Sequence, residues 1–380
     1  MQKTIAFCLF KYFTHGGLQR DMLRIAQSCQ QAGMGIRIYT MHWEGPQPDG
    51  FDVRIVPTRG WTNHGRAETF ADQVRNLLKA EPVSLVVGFN RMPGLDVYFG
   101  SDVCFAEELR HKNPLRRLTP RCRTYLKLEQ AVVGPASKTH LLLISPTQIE
   151  DYRKHYGLSD SRLTLLPPGL DDSFSLSEDP AEARHRIRKE FGAGADDFLL
   201  LHVGSAFKRK GVDRAIRALS ALPEPLRRRC VLVVSGQGKE AAYRRLAKRL
   251  GVGPHVKLAG VRHDVPALMT AADVLLHPAR VENTGLTLLE GLGCGLPVLC
   301  TAACGYANYI AESTGGVVLS GPFSQEQMNK ALAVMLDRDR INQYRSAIKA
   351  YCNRTPLSGL LENAVDTILS RVLVGHCHEQ

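Results

Sequence analysis

The sequence predicts an α/β protein built from two doubly wound, Rossmann-like domains facing each other across a cleft. Three observations carry that prediction. At 380 residues the chain is too long for one domain at a typical size of roughly 150 residues. Strand-length apolar runs alternate with amphipathic helical stretches. That alternation occurs twice, with a break between.

In the first half the apolar runs fall at residues 5–10, 36–41, 53–56, 85–89 and 141–145, with helical patterns at 18–31, 67–80 and 149–155. In the second half they fall at 199–203, 231–235, 256–258, 274–277, 298–300 and 317–319, with helices at 212–222, 240–250, 265–271 and 286–293. Continuous Val/Leu/Ile runs are buried on both faces, and their alternation with helices is the pattern of a parallel sheet covered on both sides. The rhythm stops at Leu166-Pro167-Pro168-Gly169, where prolines hold the chain extended and a glycine lets it bend. A polar, acidic stretch containing Asp171-Asp172-Ser173 and Glu178-Asp179-Pro180 follows. Helical patterns at 325–336, 340–351 and 360–372 close the chain. We therefore place one domain at 1–168 and a second at 169–355, with the helix in 356–380 returning to the first.

Composition narrows the classes. With 44% hydrophobic and 23% charged residues the composition is that of an ordinary globular protein and excludes a disordered chain. No stretch approaches the ~20 apolar residues that cross a bilayer. The N-terminal apolar run is short, lacks a small-residue cleavage site and is closed by Lys11, so no signal peptide is read and a cytoplasmic protein is expected. The ten cysteines stand singly, mostly inside apolar runs, with no C-x-x-C pair, and are expected as reduced core thiols. His376-Cys377-His378 is read as an unanchored tail rather than a metal site. The net charge of +12 points to anionic company, whether nucleic acid, phosphorylated small molecules or a lipid surface.

Three elements carry chemistry. His277-Pro278-Ala279-Arg280-Val281-Glu282 follows an apolar strand, and Thr284-Gly285 then opens a helix containing Glu290. Glu282 is thereby placed at the carboxyl end of a strand, where open parallel sheets bind ligands. The unpaired N–H groups from Thr284 through Gly285 to Leu286 favour a phosphate, and Glu290 is suited to accept hydrogen bonds from a ribose diol. Taken singly, both carboxylates are equally compatible with a solvated loop and a helix surface. Gly204-Ser205-Ala206-Phe207-Lys208-Arg209-Lys210-Gly211 also follows a strand and precedes a helix. Its cations suit the charge that develops on a departing diphosphate, the alternative being a solvated basic turn. Gly16 and Gly17, between the first strand and helix, permit close approach of a pyrophosphate or simply a tight turn. No dinucleotide fingerprint and no P-loop accompanies them, which disfavours a nicotinamide dehydrogenase and a P-loop enzyme.

The stretch His277–Pro297, with Glu282 and Glu290 in an E-x7-E frame and Gly295-Leu296-Pro297-Val298 behind, resembles the signature of the retaining family-4 glycosyltransferases of the GT-B fold. The blocks Lys11-Tyr12-Phe13-Thr14-His15-Gly16-Gly17-Leu18-Gln19-Arg20-Asp21, Trp43-Glu44-Gly45, Asn63-His64-Gly65-Arg66 and Met92-Pro93-Gly94-Leu95-Asp96-Val97-Tyr98-Phe99 are similar to those of the glucosyltransferases that build the lipopolysaccharide core. The likeness runs from the first strand to about Gln327. It implies an acceptor-binding first domain and a nucleotide-sugar-binding second domain. Glu282 would hold the donor sugar and Glu290 the ribose of UDP. Arg209 and Lys210, with Ser205 in the same loop, would meet the diphosphate, as would Gly16, Gly17 and the amides at Thr284, Gly285 and Leu286. Arg262 would border the uracil. Asp102, after the strand at 97–100, would orient the sugar or take the acceptor proton, and Asp21 would bind or deprotonate the incoming hydroxyl.

The implied reaction is transfer of glucose from UDP-glucose to an inner-core heptose of lipopolysaccharide with retained anomeric configuration. No pair of carboxylates suggests the covalent route of retaining hydrolases, so a front-face reaction is expected, with domain closure excluding water. UDP-glucose is a substrate here, and no cofactor and no metal is expected: Arg209 and Lys210 replace the metal, and the sole D-x-D, Asp337-Arg338-Asp339, does not follow a strand. Other donors, UDP-galactose or an N-acetylhexosamine nucleotide, stay open because Asn283-Thr284 departs from the small residues usual after that glutamate. A non-catalytic UDP-sugar sensor is disfavoured by the intact Glu282, Arg209, Lys210 and Glu290.

The segment 109–133 explains part of the basic excess through Arg110, Lys112, Arg116, Arg117, Arg121, Arg123 and Lys127, with His111 beside them. Thr119-Pro120 reads as a helix start, and Cys122, Tyr125, Leu126 and Val133 mark one face. Such a helix suits the anionic cytoplasmic face of the inner membrane, making the protein peripheral there; the other reading packs the apolar face on its own domain. Nucleic-acid binding is not expected, since no recognition motif and no interleaved aromatics accompany the charge.

Overall fold

The computed structural model describes residues 2–14, 16–110, 114–170, 174 and 176–374. His111, Lys112, Asp171, Asp172, Ser173 and the His376-Cys377-His378 tail lie outside the described residues, and so does the side chain of Arg116. The chain forms two units, Met1–Pro167 with Gly359–Gln380, and Pro168–Ser358. The division falls within the Pro167-Pro168 pair.

The first unit runs β1 (Thr4–Leu9), α1 (Gly17–Gln31), β2 (Gly35–Thr40), β3 (Phe51–Ile55), α2 (Asn63–Ala80), β4 (Leu85–Gly88), β5 (Val97–Gly100), α3 (Phe105–Arg110), α4 (Pro120–Val133), β6 (His140–Leu143), α5 (Pro146–Tyr156) and β7 (Leu163–Leu165). The seven strands pair in the order β3-β2-β1-β4-β5-β6-β7, each pair parallel. Central β1 alternates its side chains between two cores, as the pleat requires. Ile5, Phe7 and Leu9 share one core with Met22 and Ile25 of α1; Ala6 and Cys8 share the other with Phe70 and Val74 of α2.

The second unit runs α6 (Pro180–Phe191), β8 (Phe198–Val203), α7 (Phe207–Lys210), α8 (Val212–Ser220), α9 (Glu224–Arg227), β9 (Cys230–Ser235), α10 (Glu240–Arg249), β10 (Val256–Gly260), α11 (Val265–Ala271), β11 (Val274–His277), α12 (Leu286–Gly293), β12 (Val298–Thr301), α13 (Ala307–Ser313), β13 (Gly316–Leu319), α14 (Gln325–Met335) and α15 (Arg338–Cys352). Its sheet is parallel in the order β10-β9-β8-β11-β12-β13. The last helix, α16 (Leu360–Val374), packs Ala364 and Ile368 into the core that α1 covers in the first unit. Arg371 of α16 donates to His140 Nδ1 at 2.6 Å.

Several sequence expectations need correcting. The acidic stretch near the start of the second unit leads into helix α6, whose N-terminal amides at Ala181 and Glu182 are capped by Asp179 at 2.8 and 3.1 Å. α2 begins at Asn63, four residues early, because Thr62 caps it by accepting from Gly65 N at 3.2 Å. β7 was too short to read as an apolar run. The D-x-D has a structural use: Asp337 caps α15, accepting from Arg340 N at 2.9 Å.

Part of the basic excess is consumed inside the fold. Asp273, fully buried just before β11, lies within 4 Å of Arg184, Arg188, Arg338 and Arg345, at 2.8, 3.0, 3.1 and 3.8 Å. Burial pushes its carboxyl up, but Arg184, the Leu199 N–H and the other arginines outweigh this and hold it below the usual carboxylate range. The apolar face of α4 is consumed in part as well. Of the residues that mark it, Cys122 and Val133 are buried in the first unit, with Leu128 and Val132 beside them, while Tyr125 and Leu126 are half-buried. The nine described cysteines are free thiols, seven of them buried. Among the described residues no helix is long and apolar enough to cross a membrane.

Candidate active site

Three predicted site residues meet at the carboxyl end of the second sheet. Arg209 Nη1 donates to Glu282 Oε2 at 2.9 Å, and Lys210 Nζ closes on the same oxygen. The Lys210 and Glu282 side chains are each 11% exposed, whereas that of Arg209 is 48% exposed. One carboxylate thus faces two cations, leaving a net positive corner at the strand ends, the electrostatic requirement for holding a diphosphate.

Local backbone demands explain this placement. Between β8 and α7, Ala206 sits at φ +60°, a left-handed conformation costing roughly 1–2 kcal/mol for a residue with a Cβ. Gly211, at φ +79°, lies so close to the next loop that a Cβ would stand 2.0 Å from the Pro278 carbonyl oxygen. Arg280 then ties the two loops together. Its N–H donates to the Arg209 carbonyl at 2.8 Å, and its guanidinium holds Asp213 at 2.7 and 2.8 Å and the Lys208 carbonyl at 2.7 Å. Sequence reading missed Arg280 and Asp213 because their function is to position other groups. Ser205 Oγ is engaged structurally, accepting from Gln237 N at 3.0 Å.

Beneath this corner lie two stacked imidazoles, His202 and His277, with centroids 5.9 Å apart and planes 8° from parallel. His202 Nδ1 donates to the Leu276 carbonyl at 2.8 Å. Burial, and then Lys210, push His277 far below its ordinary range; burial lowers His202 to about 4. Both rings are neutral at physiological pH, which leaves the positive charge of the corner on Arg209 and Lys210.

Gly285, at φ +80°, precedes α12, and no side chain caps that helix. The Thr284 carbonyl accepts from Tyr306 N at 2.8 Å and Glu282 N donates to Ala303 at 3.2 Å, which fixes the approach to Leu286. Glu290 lies on α12 about 6 Å along the axis from Leu286. Arg262 is held by two carboxylates, Glu190 at 2.6 Å and Asp264 at 2.8 Å.

In the first unit, Gly16 ends the β1 loop and Gly17 opens α1. A Cβ on Gly16 would fall 1.8 Å from Gln19 Oε1, while Gly17 has open space. Asp21 lies on α1 with Arg20 Nε 3.7 Å from its carboxylate. Asp102 is exposed in the loop after β5. That loop is shaped by a buried network that sequence reasoning did not find: Glu129 of α4, fully buried, pairs with Arg91 at 3.0 Å and accepts from the N–H groups of Phe105 and Ala106 at 2.7 and 3.0 Å. Arg91 and Gln148 donate to the Asp102 carbonyl at 3.3 and 2.8 Å. Also in this unit is a cavity of about 310 Å³ whose polar lining is Lys11, Gln19, Asn63, Arg66, Asn90 and Tyr125.

Comparison with known proteins follows the same lines. A family profile for glycosyl transferases group 1 matches residues 183–352. Over 366 residues the chain is 45% identical to lipopolysaccharide glucosyltransferase WaaG of Escherichia coli (strain K12), covering 96% of this chain and 98% of that protein. The crystal structure of WaaG superposes with a TM-score of 0.88, covering 96% of this chain and 99% of that one. Anabaena Alr3699/HepE in complex with UDP-glucose matches with a TM-score of 0.70 at 17% identity over 97% of this chain and 99% of that one, a likeness of fold.

Proposed function

As a member of the group 1 glycosyl transferase family, to which it belongs together with lipopolysaccharide glucosyltransferase WaaG, the chain is a hexosyltransferase, and we propose that it transfers glucose from UDP-glucose to an inner-core heptose of lipopolysaccharide. The full-length identity with WaaG carries this reading.

The Arg209–Lys210–Glu282 corner supports a division of labour in the second unit. The diphosphate draws Arg209 and Lys210 from Glu282, whose freed carboxylate accepts from the sugar hydroxyls. As the bond between the anomeric carbon and the phosphate oxygen breaks, charge grows on the diphosphate, where the two cations and the uncapped start of α12 stabilise it. The acceptor oxygen attacks the same face of the oxocarbenium-like sugar, its proton passing to the departing phosphate oxygen. No proton transfer to Glu282 is required.

The first unit takes the acceptor. The 310 Å³ cavity offers amides and cations to a hydroxyl-rich ring, with Tyr125 as a stacking face. Asp21 and Asp102 belong to this unit and are proposed as acceptor- and sugar-facing carboxylates, and Gly17 leaves the start of α1 open to an anionic group. No metal takes part in this scheme. The enzyme works at the anionic cytoplasmic surface of the inner membrane. With Cys122 and Val133 of α4 buried, contact falls to the exposed cations Arg117, Arg121, Arg123 and Lys127 and to Leu115 and Leu118 in the preceding turn. Slow release of free glucose from UDP-glucose, with UDP-galactose left intact, tests the donor assignment; the reverse preference overturns it.

A further inference from the structure

Trp61 is completely exposed, at 105% of its reference area, in the loop between β3 and α2. A bare indole presents roughly 150–250 Å² of largely apolar surface to water, and a single exposed apolar residue is ordinary on its own; what matters is what surrounds it. The loop is not loose. Thr69 Oγ1 donates to the Arg59 carbonyl at 3.2 Å, Arg66 Nε donates to Thr58 Oγ1 at 3.3 Å, and Thr62 caps α2 directly behind the tryptophan. The indole is therefore carried on a fixed support.

Its neighbourhood identifies the partner. The first turns of α2 lie beside the first turns of α4: Asn63, Arg66 and Tyr125 line one cavity, and Lys127 Nζ reaches Glu68 at 3.4 Å. Trp61 precedes α2, and Leu115 and Leu118, 73% and 61% exposed, precede α4. Exposed apolar groups thus precede both of these neighbouring helices, and the exposed cations of the two segments are Arg59, Arg117, Arg121 and Arg123. An aromatic with a polar N–H, exposed aliphatic side chains and exposed arginines, carried on segments that precede two neighbouring helices, match the headgroup region of an anionic bilayer.

We propose that Trp61 is an interfacial anchor that enters the headgroup region of anionic membranes, so that the β3–α2 loop and the turn before α4 form one docking surface beside the acceptor cavity. The inference rests on the membrane reading of the basic segment and adds to it a residue outside that segment.

The chain has two tryptophans, and the other, Trp43, is stacked on Tyr12 with ring centroids 3.8 Å apart. In Trp43→Phe protein, emission reports on Trp61 alone. Vesicles of equal parts phosphatidylglycerol and phosphatidylcholine should shift that emission to shorter wavelength and protect it from acrylamide, whereas pure phosphatidylcholine should do neither. In co-sedimentation with the anionic vesicles, Trp61→Ser in the otherwise unaltered chain should bind about tenfold more weakly. If the protein sediments with these vesicles but the emission is unmoved, or Trp61→Ser binds as well as the unaltered chain, the anchor is overturned and the basic-segment reading stands. If nothing sediments, both fall.

Discussion

Lys210 and Glu282 form an ion pair in which each side chain is 11% exposed, and Arg209 reaches the same carboxylate oxygen from the solvent side at 2.9 Å. Removing Glu282 leaves two cations without their counter-charge, whereas removing Lys210 leaves the carboxylate still facing Arg209. The two residues should therefore fail differently when replaced.

Glu282→Ala should lower transfer at least ~100-fold, since the donor sugar loses its carboxylate partner. Circular dichroism and the thermal midpoint should show a folded protein, because Glu282 lies in a loop held independently by Arg280 and Asp213. Near-normal turnover would remove Glu282 from the mechanism. Lys210→Ala should depress kcat through the leaving group.

Gly211→Ala should destabilise the protein by about 2 kcal/mol or more, combining a left-handed backbone with a Cβ 2.0 Å from the Pro278 oxygen. Urea denaturation checks this. Gly17→Ala is the control: with nothing within 4 Å of the added Cβ, its stability should stay close to that of the unaltered protein.

Glu129→Ala should cost about 3–5 kcal/mol, since it strands the buried Arg91 and removes the acceptor for Phe105 and Ala106 N–H. Glu129→Gln, which keeps one acceptor, should cost less. Equal losses would show that the charge on Glu129, which both substitutions remove, outweighs the shape that only glutamine keeps.

Stability should fall on acidification below neutrality. Burial, then Arg371 and Arg162, lower His140 to about 4; burial lowers His202 to about 4, and His277 lies lower still. A histidine with a depressed folded pKa binds its proton more readily when unfolded, so unfolding is favoured as pH drops from about 6.5 towards 4. Denaturation midpoints at pH 7, 6 and 5 should decline, and His202→Gln should flatten the slope by about one proton.

The six strands of the second unit were legible because runs such as Val231–Val234 are apolar throughout, as suits strands buried on both faces. α6 was not, because its sequence is mostly charged and only Ala183, Ile187 and Arg188 of its residues are buried; the Asp179-Pro180 start and the Gly192 stop were its available signals. The chemistry of Glu282, Arg209 and Lys210 was legible because it sits in short loops after strands. The Arg91–Glu129 network was not, since a glutamate within a helix gives no sign in sequence that it is fully buried. The basic excess misled in part: Arg184 and Arg188 serve Asp273, and Arg162 serves the carbonyls of Val132, Gly134 and Thr139. Such arginines are indistinguishable in composition from those that face a partner.

The most direct test is incubation with UDP-glucose and a lipopolysaccharide acceptor truncated at the inner-core heptoses, followed by mass and anomeric analysis of the product. The account predicts one added hexose in the α configuration, dependent on Glu282 and absent with UDP-galactose. A β-linked product, or no addition while the protein remains folded, would contradict it.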